Sequence, residues 1–327
     1  MFNALYLTQQ DGKTIATLKP LQDDELPAGD VVVRVEYSSL NYKDALAVTG
    51  RGPVVRKWPM VAGIDLAGVV ESSSSPEWKP GERVVVNGWG MGETDWGGFS
   101  QRARLAAPWL LRLPSNKTTR EAAAIGTAGN TAALCVMALQ KHGLKPGDGP
   151  VLVTGASGGV GSVAVALLAS LGYNVIASTG KTQEAEYLKQ LGASEIIPRE
   201  QLGAPGKPLQ REVWAGTVDT VGSHTLANAC AATKWNGAVA ACGLAQGGDF
   251  PSSVMPFILR GVTLYGINCV YIPNDTRARA YELLASHVLG SKLDEMTSEV
   301  GLGDVVGASH ELLDGKRKGR TVVAVNR

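Results

Sequence analysis

Four glycines, Gly155, Gly158, Gly159 and Gly161, punctuate the segment 151–162, VLVTGASGGVGS. An apolar, β-branched run leads into them and an apolar helical stretch leads out. In that setting glycines let the chain turn tightly, let backbone amides approach a pyrophosphate, and let helix and strand pack closely. The helix start adds a positive partial charge where phosphates would lie. A bare glycine cluster reads equally well as a structural turn; its place between strand and helix makes this one a dinucleotide site.

The following strand selects the dinucleotide. An NAD site sets an acidic residue about 20 residues on, against the ribose 2′-hydroxyl. Here the loop is Ser178-Thr179-Gly180-Lys181, with no acid, and Arg199 follows the next strand. Each cation taken alone is an ordinary solvated surface charge. Small hydroxyls plus cations in place of the acid suit a 2′-phosphate, and the expected cofactor is NADPH.

A catalytic zinc site needs Cys, His and acidic ligands that converge. His142, His224, His287 and His310 are scattered, and Cys135, Cys230, Cys242 and Cys269 lie far apart without a CxxC. The expectation is a metal-free enzyme, which disfavours alcohol dehydrogenation and leaves reduction of an activated C=C bond. Thiols this dispersed in a chain this long read as reduced and cytoplasmic. The first residues show no basic segment before an apolar core, so no signal peptide is expected. Apolar runs such as 132–139 fall short of the roughly 20 residues of a membrane span.

The elements that must position these residues fall into two patterns. Up to about residue 120 the chain reads as short strands between Gly and Pro turns, at 31–37, 68–71 and 83–87. Thr118 and Glu121 form a capping box ahead of an Ala-rich helical stretch, 122–139, broken near Gly126 and Gly129. Strands at 151–154, 174–177, 195–197, 213–221, 238–242 and 262–267 then alternate with helices at 160–171, 182–191 and 224–232, which predicts a parallel, doubly wound sheet. A helix at 278–289 and a strand at 321–325 follow. At 327 residues the chain suits two domains, and its 31 basic against 30 acidic residues give no reason to expect nucleic acid or an anionic membrane as partner.

These residues also carry a likeness. Segments 39–44 (SLNYKD), 63–68 (GIDLAG), 126–129 (GTAG), 155–161, 256–262 (PFILRGV) and 319–321 (GRT) together resemble the zinc-free medium-chain dehydrogenases/reductases, and among them the acryloyl-CoA reductase group, whose members are also labelled quinone oxidoreductases. The likeness spans nearly the whole chain, and IGTAG and PFILRGVTLYGIN are its most specific stretches. It implies an α/β fold: a GroES-like β-rich substrate domain, 1–121 and 295–327, and a Rossmann NADPH-binding domain, 122–294. It also implies a homodimer formed through the nucleotide-binding domains. Ala62 departs from the Pro of many relatives, and Cys269 from a small hydroxyl residue.

The resemblance further implies roles. Ser157, Gly158, Gly159 and Val160 would hold the pyrophosphate, and Thr179, Gly180, Lys181 and Arg199 the phosphate-bearing adenosine end. Leu244, Ile258 and Cys269 would line the nicotinamide, with Asn326 reaching it from the tail and Tyr42 touching it from the β-rich domain. For Leu244 and Ile258 the side chains are expected in core packing and the backbone amides at the cofactor. Thr127 would add a hydroxyl. For an enoyl thioester such as acryloyl-CoA, hydride reaches the β-carbon, charge gathers on the thioester oxygen, and an acid protonates the α-carbon. Tyr42 is the acid or donor candidate, Asn41 the oxyanion donor, and Asp44 the group that orients Tyr42. Arg51, Arg56 and Lys57 are candidates for the CoA phosphates. A quinone reductase and a non-enzymatic NADPH-binding protein are the alternatives.

Overall fold

The computed structural model describes residues 1–114, 116–288 and 290–327. Packing divides the chain into two units: Met1–Thr127, Val270–Ala278 and Leu293–Arg327 in the first, Ala128–Cys269 and Arg279–Lys292 in the second. This differs in three places from the division at 121/122 and 294/295 implied by the sequence: residues 122–127, 270–278 and 293–294 join the first unit. Residues 122–127 go with the first unit because the Ala124 carbonyl and Thr127 bond to Arg320 and Asp65. Residues 270–278 do so because the Trp89 backbone amide bonds the Val270 carbonyl and the Asn274 side-chain Nδ2 donates to the carbonyls of Pro108 and Leu110.

In the first unit, strands run in the order Thr297–Gly301, Arg320–Ala324, Val31–Leu40, Asp65–Ser73, Arg83–Asn87 and Leu111–Arg112, with Arg102–Leu105 also on Val31–Leu40. Only the pair Thr297–Gly301 and Arg320–Ala324 is parallel. Val31, Val33 and Val35 are buried and Arg34 is exposed, the period-two alternation of a strand with one face on a core. A second sheet of three strands joins Lys13–Leu21, Phe2–Gln10 and Met60–Val61. Helices Tyr42–Thr49 and Val305–Leu313 complete the unit.

The second unit is a six-stranded parallel sheet in the order Glu195–Pro198, Val175–Thr179, Val151–Val153, Trp214–Asp219, Thr233–Ala241, Thr263–Gly266. The chain starts in the middle, works outward to one edge, then returns and works to the other. The strand order therefore reverses between Val151–Val153 and Trp214–Asp219, and open α/β sheets bind ligands at such a switch point. Each predicted strand of this unit is present.

Helix Thr119–His142 begins at the expected capping box: Thr118 Oγ1 donates to Glu121 Oε2 (2.8 Å) and accepts from the Glu121 amide (3.1 Å). It breaks at Gly126, whose φ of 50° is open only to glycine at little strain; a Cβ there would lie 2.6 Å from Ser39 Oγ and 2.7 Å from Asp65 Oδ2. Across that break the helix is long and apolar enough to cross a membrane, which separate apolar runs do not reveal; 83% of its apolar window is buried inside the protein. The predicted helix 278–289 is Asn274–His287, and its predicted last residue, Leu289, lies outside the described residues.

Candidate active site

In the second unit the phosphate loop is built as its glycines require. Strand Val151–Val153 ends, the chain turns at Gly155, and Gly158 caps helix Gly159–Ser170. A Cβ on Gly161 would collide with the Gly155 carbonyl oxygen and lie 2.6 Å from the Ala156 Cα, so the helix sits this close to the loop only with glycine there. The Gly158 amide is engaged by the Gly155 carbonyl (2.9 Å). What Gly158 contributes is an open approach, since a Cβ there would meet only that carbonyl, at 3.2 Å. Gly159 and Val160 stand in the first helical turn, whose amides have no intrahelical acceptor.

The next strand end closes on this loop. Ala156 donates its amide to the Ser178 carbonyl (3.0 Å), Ser157 Oγ pairs with Thr179 Oγ1 (2.9 Å), and Thr179 Oγ1 accepts the Lys181 amide (3.0 Å). Arg199 lies across Gly180: a Cβ on Gly180 would be 2.6 Å from its Cδ and 2.7 Å from its Nε. The arginine is solvent-exposed and its ion pair among the described residues is with Glu200 (3.4 Å). Hydroxyls, a glycine and two cations thus gather at one strand end with no acid among 178–181, the donor set that a 2′-phosphate needs.

Asp219 anchors the other side of the switch point, a role the sequence reading does not assign. Its Oδ1 accepts from Thr154 Oγ1 (2.7 Å) and its Oδ2 from the amides of Gly222 (2.8 Å) and Val221 (3.3 Å). Burial raises its carboxyl above the usual range, against the pull of those hydrogen bonds. A lone acid ending an apolar strand, VDTVG, is the signal that could have found it.

Two expectations in this unit are overturned. Leu244 and Ile258 do not pack into a core: they are 65% and 72% exposed. The Ile258 amide is bonded to the Val254 carbonyl (3.0 Å) within the short helix Met255–Arg260, so it is closed to a cofactor and only the side chain projects. Cys269 is half-buried.

In the first unit a buried polar network centres on Asp65. Ser39 Oγ (2.6 Å), Asn41 Nδ2 (2.8 Å) and the Thr127 amide (2.9 Å) donate to Oδ2; Asn87 Nδ2 (2.7 Å) and Thr127 Oγ1 (2.6 Å) donate to Oδ1. Asp44 lies alongside, taking the amides of Asn41 (2.9 Å) and Ile64 (2.8 Å) and the Asn41 side chain (3.0 Å). Burial, and then the neighbouring Asp65 charge, push the Asp44 carboxyl up to about 7. Arg320, 2% exposed, reaches the Ala124 carbonyl (2.8 Å) and Asn41 Oδ1 (3.3 Å). Charged residues inside the apolar runs GIDLAG and GRTVVAV marked Asp65 and Arg320 in the sequence, but not their meeting.

This network corrects the expected roles around Tyr42. The Asn41 amide nitrogen faces three acceptors, Ser39 O, Asp44 Oδ2 and Asp65 Oδ2, and is not available to an oxyanion. Asp44 bonds the cap of the Tyr42–Thr49 helix and the Ile64 amide, so it holds the backbone beneath Tyr42 and not the phenol. Tyr42 itself begins the helix with its ring 46% exposed. Thr127 gives its hydroxyl proton to Asp65 and does not have it to offer a cofactor. Asn326 donates its side-chain amide to the Val35 carbonyl (3.2 Å). Among the three candidate cations, Arg51 is committed to Asp314 (3.0 Å), whereas Arg56 and Lys57 are exposed.

The two halves of this architecture match known families: residues 27–115 match the alcohol dehydrogenase GroES-like domain, and 159–286 match the zinc-binding dehydrogenase domain. The acrylyl-CoA reductase AcuI of Ruegeria pomeroyi is 50% identical over the full length of both chains. The chain belongs to the medium-chain dehydrogenase/reductase family, in its acrylyl-CoA reductase group. The structure of Escherichia coli K-12 YhdH with bound NADPH superposes at a TM-score of 0.97, with 48% identity, over 99% of this chain and 100% of that one. Bacillus subtilis yhfP with NAD bound superposes at 0.95, with 42% identity over 99% of both. Although one matching domain model is named for zinc, no cluster of three or more His, Cys, Asp or Glu able to hold a metal occurs among the described residues.

Proposed function

We propose that this protein reduces the C=C bond of acryloyl-CoA to give propanoyl-CoA, with NADPH as the reductant. The observation that carries the reading is the full-length identity with the Ruegeria pomeroyi acrylyl-CoA reductase, which takes in both units. The cations Lys181 and Arg199 beside Gly180 support NADPH over NADH, as does the NADPH-bound Escherichia coli structure.

When bound, NADPH supplies the hydride. Gly158, Gly159 and Val160 hold its pyrophosphate, Ser157 and Thr179 shape the loop around it, and Thr179, Gly180, Lys181 and Arg199 hold the 2′-phosphate. Leu244, Ile258 and Cys269 offer side chains to the nicotinamide, with Asn326 near the same end. Tyr42 is the proton donor of the reaction: it is exposed and carries an O–H, while Asn41, Asp44, Asp65 and Thr127 are bonded to one another beneath it. Arg56 and Lys57 take the CoA phosphates; Arg51, paired with Asp314, holds the loop.

The protein acts as a homodimer in the cytoplasm on this reading. Exposed Val254 and Leu259 beside the edge strand Thr263–Gly266 support the first, and four free thiols the second.

The test mixes purified protein with NADPH and, separately, acryloyl-CoA, crotonyl-CoA and a benzoquinone, following loss of the reduced nicotinamide absorbance. Fast turnover of acryloyl-CoA is expected. Turnover of the quinone alone would replace this reading by a quinone reductase, and silence with all three despite NADPH binding would replace it by a non-enzymatic binder.

A further inference from the structure

Of the segment 87–97, NGWGMGETDWG, only Asn87 has entered the site described so far, yet the loop is anchored at both ends. Its base is fixed twice: Asn87 donates to Asp65 (2.7 Å), and the Gly88 amide donates to the Ile64 carbonyl (3.0 Å). Its far limb meets the elements that carry the candidate site. Glu93 pairs with Lys43 (2.8 Å), the residue after Tyr42, and its carbonyl takes the amide of Arg56 (2.9 Å).

Between these anchors stands Trp89, with φ at +56°. A bulky residue in the left-handed region is an outlier, and such strain persists only where the surroundings over-determine it. Its surroundings do so. The Trp89 amide bonds the Val270 carbonyl (3.2 Å). Its indole lies parallel to Trp109, 6.3 Å between centroids at 4°, and Tyr271 meets it edge-on at 6.3 Å and 74°. The Arg277 guanidinium carbon is 5.6 Å from the ring centroid. The indole N–H is shielded from solvent and has no acceptor among the described residues. The ring also packs on the core of the unit, but glycine would relieve the backbone and a smaller side chain would avoid the buried N–H, so the indole is kept at two local costs. Tyr271, by contrast, is 66% exposed and extends the aromatic surface outward. It follows Cys269 by two residues, on the segment that leaves the nicotinamide side.

We infer that Trp89 and Tyr271 form a rigid aromatic wall that sets acyl-chain length, admitting the acryloyl group and turning away enoyl thioesters with a substituent on the β-carbon. This rests on the enoyl-thioester reading above and deepens it. A methionine-lined pocket would yield to a longer chain. An indole packed on Trp109 and Tyr271, beside a guanidinium and with its backbone bonded to Val270, shifts only at the expense of those contacts, so an added methyl group must displace the stack.

The test measures kcat/KM for acryloyl-, crotonyl- and 2-hexenoyl-CoA in the wild type, Trp89→Gly and Tyr271→Ala. Glycine suits the backbone at 89, and Tyr271 is exposed, so the second variant keeps the test valid should the first fold poorly. The wild type is expected to prefer acryloyl-CoA. In the variants that preference should fall by about tenfold or more, the scale on which a pocket discriminates one methylene, with crotonyl-CoA rising in absolute kcat/KM. Wild-type selectivity in both folded variants would overturn the wall while leaving the acryloyl-CoA reading standing. A wild type that reduces benzoquinone and none of the three thioesters would overturn both.

Discussion

Asp44 and Asp65 share one partner, the Asn41 amide nitrogen, and the two carboxylates are buried to 1% exposure each. Asp44 holds its proton up to about 7 in the fold but releases it near 3.8 when unfolded. Below the lower value both states are protonated and the residue makes no pH-dependent difference. As pH rises from about 4 to about 7 only the unfolded state ionises, so folding stability declines across that window and levels off above it. Asp219 shifts in the same direction and adds to the decline. Asp44→Asn should therefore flatten, though not abolish, the fall in Tm between pH 4 and 7. At the Tyr42 phenol, replacement by Phe should lower kcat for acryloyl-CoA by about 10²-fold with little change in KM for NADPH, the scale of losing a general acid; an unchanged kcat would remove Tyr42 from the chemistry. Arg199→Ala should raise KM for NADPH by about tenfold and leave that for NADH alone, as loss of one charge-assisted contact predicts.

At the scale of elements, the phosphate loop is the most demanding. Gly161→Ala would drive a Cβ into the Gly155 carbonyl, and overpacking of this kind costs about 1–3 kcal/mol. Thermal melts should show a lower Tm and no rise on adding NADPH. The alternation that builds this unit was legible because strands buried on both faces read as unbroken apolar runs. The opening strands Phe2–Gln10 and Lys13–Leu21 were not recognised, since Lys13–Leu21 is mostly exposed and lacks a clean pattern, although Asp11-Gly12 between them is a hairpin signal. Helix Tyr42–Thr49 hid inside a motif; Asn41 and Asp44, its cap, announced it. The 157–199 cluster could be read because each member follows a strand end. The Asp65 network could not, because its five donors come from positions 39, 41, 87 and 127, and only folding brings them to one carboxylate.

At the scale of the whole molecule, the exposed apolar side chains of Val254, Ile258 and Leu259 stand on one short helix and its cap, next to a sheet edge that ends at Thr263–Gly266. An edge strand beside exposed apolar surface favours pairing with another chain. Leu259→Asp should convert the proposed dimer to a monomer in light scattering after size exclusion, and an unchanged mass would move the interface elsewhere. The sheet of the first unit carries another consequence. Strand Arg320–Ala324 supplies the antiparallel partner of Tyr37–Leu40, and Arg320 brings the guanidinium that reaches Asn41 and Ala124. As the protein grows from the ribosome, every strand of the six-stranded parallel sheet emerges before residue 320 does. The nascent chain therefore has its parallel sheet ready while the sheet of the first unit still lacks Thr297–Gly301 and Arg320–Ala324, and the unit whose strands emerge first is the later of the two to be completed.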